Sequence, residues 1–83
     1  MTDTRDLIEK MRKSPNNIRF EEYRKALLSF GFEMSRPRSG SSHVTFRHPL
    51  LRTIITVKQE AVVKKGYVRL ALDALDELGG LLE

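Results

Sequence analysis

Ser39-Gly40-Ser41-Ser42-His43-Val44-Thr45-Phe46-Arg47-His48-Pro49 reads as a small flexible turn that feeds a short strand and stops at a proline. Val44 and Phe46 alternate with His43, Thr45 and Arg47, so the strand has one dry face and one wet face. Such a strand belongs to a sheet that is covered on one side only. Parity then points Val44 and Phe46 at the covering layer and leaves His43, Thr45 and Arg47 together on the open face. His48 has the buried-face parity and stands beside Pro49, which suits it to shaping or capping a turn.

The neighbouring segments complete the sheet. Phe32-Glu33-Met34-Ser35-Arg36 alternates in the same way, and Thr53-Ile54-Ile55-Thr56-Val57 is rich in β-branched residues. Pro37-Arg38-Ser39-Gly40-Ser41 and His48-Pro49-Leu50-Leu51-Arg52 separate the strands and are short enough for an antiparallel meander. Upstream, Leu7, Ile8 and Met11 have helical spacing within Thr4 to Lys13, and Ser14-Pro15-Asn16-Asn17 supplies a stop. Phe20, Tyr23, Leu27 and Phe30 mark a second helix, with Glu21 and Glu22 favouring its dipole and Gly31 placed to end it. A last helix is expected from about Gly66 to Leu78, with Val68, Ala71, Leu72, Leu75 and Leu78 as its stripe and Gly79-Gly80 as its stop.

The order helix, helix, strand, strand, strand, helix predicts an α+β two-layer sandwich, a three-stranded antiparallel sheet with helices on one face. Residues 1–17 read as an amino-terminal helical extension and turn, and residues 18–83 as the domain proper. Eighty-three residues allow one modest core, and without cysteine that core relies on apolar packing alone. The polar, acidic start and the lack of any run near 18 apolar residues point to a soluble, unprocessed, cytoplasmic chain.

Net charge is +4, and its distribution is uneven. Residues 1–35 hold seven Lys or Arg against six acids, and residues 70–83 are purely acidic, with Asp73, Asp76, Glu77 and Glu83. Residues 36–69 hold eight bases against the single acid Glu60, a block suited to a polyanion. Acid-base chemistry near neutrality falls to His43 or His48, the only imidazoles present. Two histidines on opposite strand faces, with no acid between them, do not make a metal site, and no cofactor is implied. No G-x-S-x-G elbow and no phosphate-binding Gly-Lys-Ser or Gly-Lys-Thr loop occurs.

Gly40-Ser41-Ser42-His43, Val44-Thr45-Phe46-Arg47-His48-Pro49, Ile54-Ile55-Thr56-Val57 and Val63-Lys64-Lys65-Gly66-Tyr67-Val68-Arg69, in that order, resemble the HicA toxins of bacterial toxin-antitoxin pairs. The resemblance runs from about Ile18 to Leu78. Pro15-Asn16-Asn17-Ile18-Arg19-Phe20 and Leu28-Ser29-Phe30-Gly31-Phe32 are similar to the longer members, which carry an extra amino-terminal helix. It implies a fold like the double-stranded RNA-binding domain, messenger RNA interferase activity, and a HicB-type antitoxin as partner. The family's essential histidine, in a Gly-Ser-His motif opening the second strand, maps onto His43. Aligned back from Phe46-Arg47-His48-Pro49, Ser42 takes the motif serine and Ser41 the glycine, with Gly40 displaced by one position.

On that resemblance His43 is the general base or the general acid of metal-free RNA cleavage, with the choice left open. Arg47, on the same face, is a candidate phosphate clamp, and Arg36 and Arg38 reach the same edge. Ser41 and Ser42 are candidate hydrogen-bond donors to the scissile phosphate. Lys64, Lys65 and Arg69, near the start of the last helix, are candidates to position the RNA backbone. Tyr67 either stacks on a base or staples its helix to the domain. The reading is therefore a toxin that cleaves single-stranded or messenger RNA. Its alternative is a non-catalytic RNA-binding module, and only the first requires His43.

Overall fold

The computed structural model describes residues 4–36 and 42–82, which form α1 (Thr4–Lys13), β1 (Ile18–Arg19), α2 (Phe20–Ser29), β2 (Glu33–Ser35), β3 (His43–Arg47), β4 (Ile55–Lys58), β5 (Val62–Val63) and α3 (Lys65–Leu82). The main sheet is the antiparallel meander β2-β3-β4. Met34 faces Phe46 and Ser35 faces Thr45 on one side of β3, while Val44 faces Val57 and Phe46 faces Ile55 on the other. The fold is thus α+β and dsRBD-like, as the alternation at residues 43–47 predicts.

The core lies between sheet and helices. Val44, Phe46, Ile55 and Val57 are buried from the sheet side and meet Tyr23, Leu27, Val68, Leu72 and Leu75 from the helices. The ring of Phe46 stands edge-on to Tyr23, centroids 5.7 Å apart at 72°, a geometry that adds about 1 kcal/mol beyond area burial. The Tyr23 hydroxyl donates to the Tyr67 carbonyl at 3.0 Å, which fastens α2 to α3, and burial holds the phenol well above its ordinary pKa. Leu7 and Met11 of α1 are buried in the same core. Ion pairs from Lys10 to Glu22 (2.8 Å) and from Arg12 to Asp76 (2.6 Å) tie α1 to α2 and α3.

Helix α2 ends as the sequence predicts, and in detail. The amide of Gly31 donates to the Leu28 carbonyl (3.1 Å) and that of Phe32 to the Leu27 carbonyl (3.2 Å), a complete Schellman closure. Gly31 has φ +93°, which a side chain tolerates poorly.

Three boundaries differ from the sequence reading. The expected stop at Gly79-Gly80 is corrected, because α3 continues through both glycines to Leu82. Glycine permits the left-handed cap conformation without imposing it, and the buried Leu75 and Leu78 hold the helix axis up to that point. Strand β4 starts at Ile55 and includes Lys58, so its bounds lie further along the chain than Thr53 to Val57. A second ladder, β1 with β5, pairs Ile18 with Val63 and Arg19 with Val62; two-residue strands carry no periodicity for a sequence to display.

Candidate active site

His43 is the first residue of β3. Burial along β3 follows the predicted alternation, with Val44 and Phe46 fully buried and His43 and Arg47 exposed. His43 therefore stands on the open face. Directly across from it in the β3-β4 register is Lys58, and opposed residues of an antiparallel pair have Cβ atoms about 5 Å apart. The Lys58 ammonium lies 3.6 Å from Glu60 Oε1, and the same oxygen lies 3.9 Å from the Lys64 ammonium.

The other face of this sheet end forms an open cleft of about 610 Å³ lined by Arg19, Phe20, Glu21, Arg36, Ser42, Gln59, Glu60 and Ala61. Ser42 and Gln59 have the opposite parity to His43 and Lys58, which sends them to this side. The Gln59 amide N–H donates to the Ser42 carbonyl at 2.7 Å, extending the β3-β4 ladder by one rung and fixing Lys58 opposite His43. Arg36 donates to the Gln59 side-chain oxygen across the end of β3. Because arginine only donates, the Gln59 amide must present its oxygen to Arg36 and its NH₂ to the cleft.

His43, Ser42, Arg36 and Lys64 thus lie at one end of the sheet, His43 on its open face and Ser42 and Arg36 on the cleft side. Arg47 does not join them. It lies four residues along β3, about 13 Å away at about 3.3 Å per residue, directly opposite Glu33. Lys65 and Arg69 are exposed on the first turns of α3, in the helix layer. Tyr67 is partly buried against the core, which is the staple arrangement. Arg38 and Ser41 lie outside the described residues. Lys58 and Gln59 escaped the sequence reading because it ended the third strand at Val57; carrying the strand parity one residue further would have put Lys58 on the same face as His43, and the register sets it directly opposite.

The second imidazole has a different occupation. His48 is nearly buried, its Nδ1 accepts from the Leu50 amide at 3.0 Å, and its Nε2 lies 3.0 Å from the Phe30 carbonyl. An accepting Nδ1 puts a proton on Nε2, so His48 donates from Nε2 to the end of α2. This is the turn-capping role that its parity and Pro49 suggest.

Among the described residues no helix is long and apolar enough to cross a membrane. No curated protein and no solved structure matches the chain. A family model does: the one described as HicA toxin of bacterial toxin-antitoxin matches residues 20–76, a span that runs from the first residue of α2 into α3 and contains His43 and its neighbours. The chain belongs to the HicA toxin family of bacterial toxin-antitoxin systems.

Proposed function

We propose that this toxin is a metal-independent endoribonuclease that cleaves messenger RNA, with His43 in acid-base catalysis, and that a HicB-type antitoxin holds it inactive. The observation that carries the reading is the division of labour between the two histidines. His48 is committed to the Phe30 carbonyl and the Leu50 amide, whereas His43 is exposed on the open face of a sheet end, across from Lys58, with Arg36 in the cleft on the other side of that end.

In the reaction the RNA 2'-oxygen attacks the adjacent phosphorus, the 2'-hydroxyl gives up its proton, and the P–O5' bond breaks as O5' takes a proton. The products are a 2',3'-cyclic phosphate and a 5'-hydroxyl, and no outside reactant is consumed. His43 performs one of the two proton transfers. Arg36, Ser42 and Lys64 hold phosphates around this sheet end, Arg47, Lys65 and Arg69 hold the backbone further along, and Arg38 and Ser41 are further phosphate contacts. The antitoxin covers the open face with acidic or aromatic groups that compete with phosphate.

The test is cleavage of a long single-stranded RNA in excess EDTA by wild type and His43→Ala, with circular dichroism of both. Cleavage by the wild type alone, with binding within a few-fold in the variant, supports the assignment. Equal cleavage by both removes His43 from the chemistry. No cleavage by either, with salt-sensitive binding by both, leaves a non-catalytic RNA-binding module.

A further inference from the structure

Lys58 stands where a phosphoryl-transfer site needs a cation. The register sets it directly across from His43 on the open face, and the Gln59–Ser42 backbone bond at 2.7 Å closes the ladder just beyond, so the pair is held by main-chain geometry. A side chain reaching out from each of two opposed positions about 5 Å apart brackets a space the size of one phosphate. Glu60 stands between the Lys58 and Lys64 ammonium groups at 3.6 and 3.9 Å. One carboxylate shared by two lysines leaves a net positive charge, and separations this long restrain the ammonium groups without close-contact neutralisation. Glu60 is also the single acid among residues 36–69, so the one negative charge in the basic block is spent on aiming these two lysines.

We propose that Lys58 is a catalytic residue of the ribonuclease, its ammonium contacting the non-bridging oxygens of the phosphate on which His43 acts and stabilising the negative charge that builds there in the transition state. Glu60 is a positioning residue: it orients Lys58, and through Lys64 it links the open face to the start of α3. The inference rests on the ribonuclease reading given above. Lys58 takes no part in proton transfer; its ammonium stays charged throughout, and the bonds made and broken are those of the transphosphorylation already described. The contact is strongest when the phosphorus is pentacoordinate, so its loss appears in the rate more than in binding.

The experiment measures single-turnover cleavage and RNA affinity in excess EDTA for wild type, His43→Ala, Lys58→Met, Lys58→Arg and Glu60→Gln. Lys58→Met is expected to cleave about 10²-fold more slowly at saturating protein while its affinity changes by no more than about threefold, and Lys58→Arg recovers most of the rate. Glu60→Gln is expected to bind RNA more tightly yet cleave more slowly, since it removes a negative charge from the RNA path and frees Lys58 to wander. A merely structural role for Glu60 would lower both together, and that result overturns the positioning assignment. Lys58→Met cleaving within about threefold of a His43-dependent wild type, or losing only affinity, overturns the catalytic role of Lys58 alone. A wild type that does not cleave overturns the ribonuclease reading and this inference with it.

Discussion

His48 Nε2 lies 3.0 Å from the Phe30 carbonyl oxygen, so a residue of the loop after β3 caps the carboxyl end of α2 across 18 positions of sequence. The same ring accepts from the Leu50 amide and stands edge-on to Phe32, with centroids 5.0 Å apart. One imidazole therefore closes a helix, starts a turn and packs Phe32, the last residue of the Schellman closure. His43, by contrast, is exposed at the first position of β3.

Replacing His48 by Ala strands the Phe30 carbonyl and the Leu50 amide and leaves a void beside Phe32. The expected loss is about 2–3 kcal/mol, from two unmade hydrogen bonds and the missing ring. His43→Ala, at an exposed strand position, should change stability by about 0.5 kcal/mol or less. Urea unfolding of the two variants side by side checks the contrast; equal losses would mean that His43 also holds the fold.

Gly31 is the next residue under strain if altered. Its φ of +93° disfavours any side chain, and a Cβ built there would meet His48 Nε2 at 3.1 Å. Gly31→Ala is expected to cost about 1–3 kcal/mol through the backbone penalty and displacement of the ring from Phe30. A double-mutant cycle with His48→Ala should show coupling, since removing the ring removes the close approach but not the backbone penalty.

Glu22 receives the Lys10 ammonium at 2.8 and 3.0 Å and also the backbone amide of Arg19 at 3.0 Å. Lys10 is the main cause holding its carboxyl below the ordinary value of 4.5, with the Arg19 amide adding to it against a desolvation penalty. A folded-state pKa below the unfolded one gives stability that is complete above about pH 4.5 and is lost as pH falls through the folded value. Glu22→Gln should therefore be less stable than wild type by about 0.5–1 kcal/mol at pH 7, with the gap closing below pH 4. Chemical denaturation at pH 7, 5, 4 and 3 measures it, and a gap that widens in acid would contradict the assignment.

Much of this architecture was legible because alternation and helical spacing are local properties. Val44 and Phe46 declared the covered face, Phe20 to Gly31 declared a helix and its end, and His48 beside Pro49 declared a turn. The β1-β5 ladder was not legible, since pairing Ile18 with Val63 is a contact across 45 positions with only two residues on each side. The site was half legible for the same reason. The candidate histidine stands in a local motif, whereas Lys58, across from it, is identified only by the cross-strand register, and one residue of error at a strand end hides it.

Gly79 tests the one helix end that the sequence misplaced. It is helical, and a Cβ added there would meet nothing within 4 Å. Gly79→Ala is thus expected to stabilise the protein by about 0.5–1 kcal/mol, through helix propensity and a less free unfolded chain. A loss of stability of similar size would mean that Gly79 serves as a helix stop in solution.

Arg47 shares a strand and a face with His43 but stands about 13 Å from it, opposite Glu33. On the ribonuclease reading, a side chain at that distance engages a different phosphate of the bound strand from the one being cleaved. Arg47→Gln should then weaken RNA binding alike for all sequences and lower the slope of log affinity against log salt by about one phosphate's worth of counterion release. Its cleavage rate at saturating protein should stay within about threefold of wild type, because a contact made equally in ground and transition states alters binding without altering the chemical step. Salt-dependent binding measured beside single-turnover cleavage separates the two effects. A large fall in the saturating rate would require the RNA to bend back along β3 so that Arg47 and His43 reach the same phosphate.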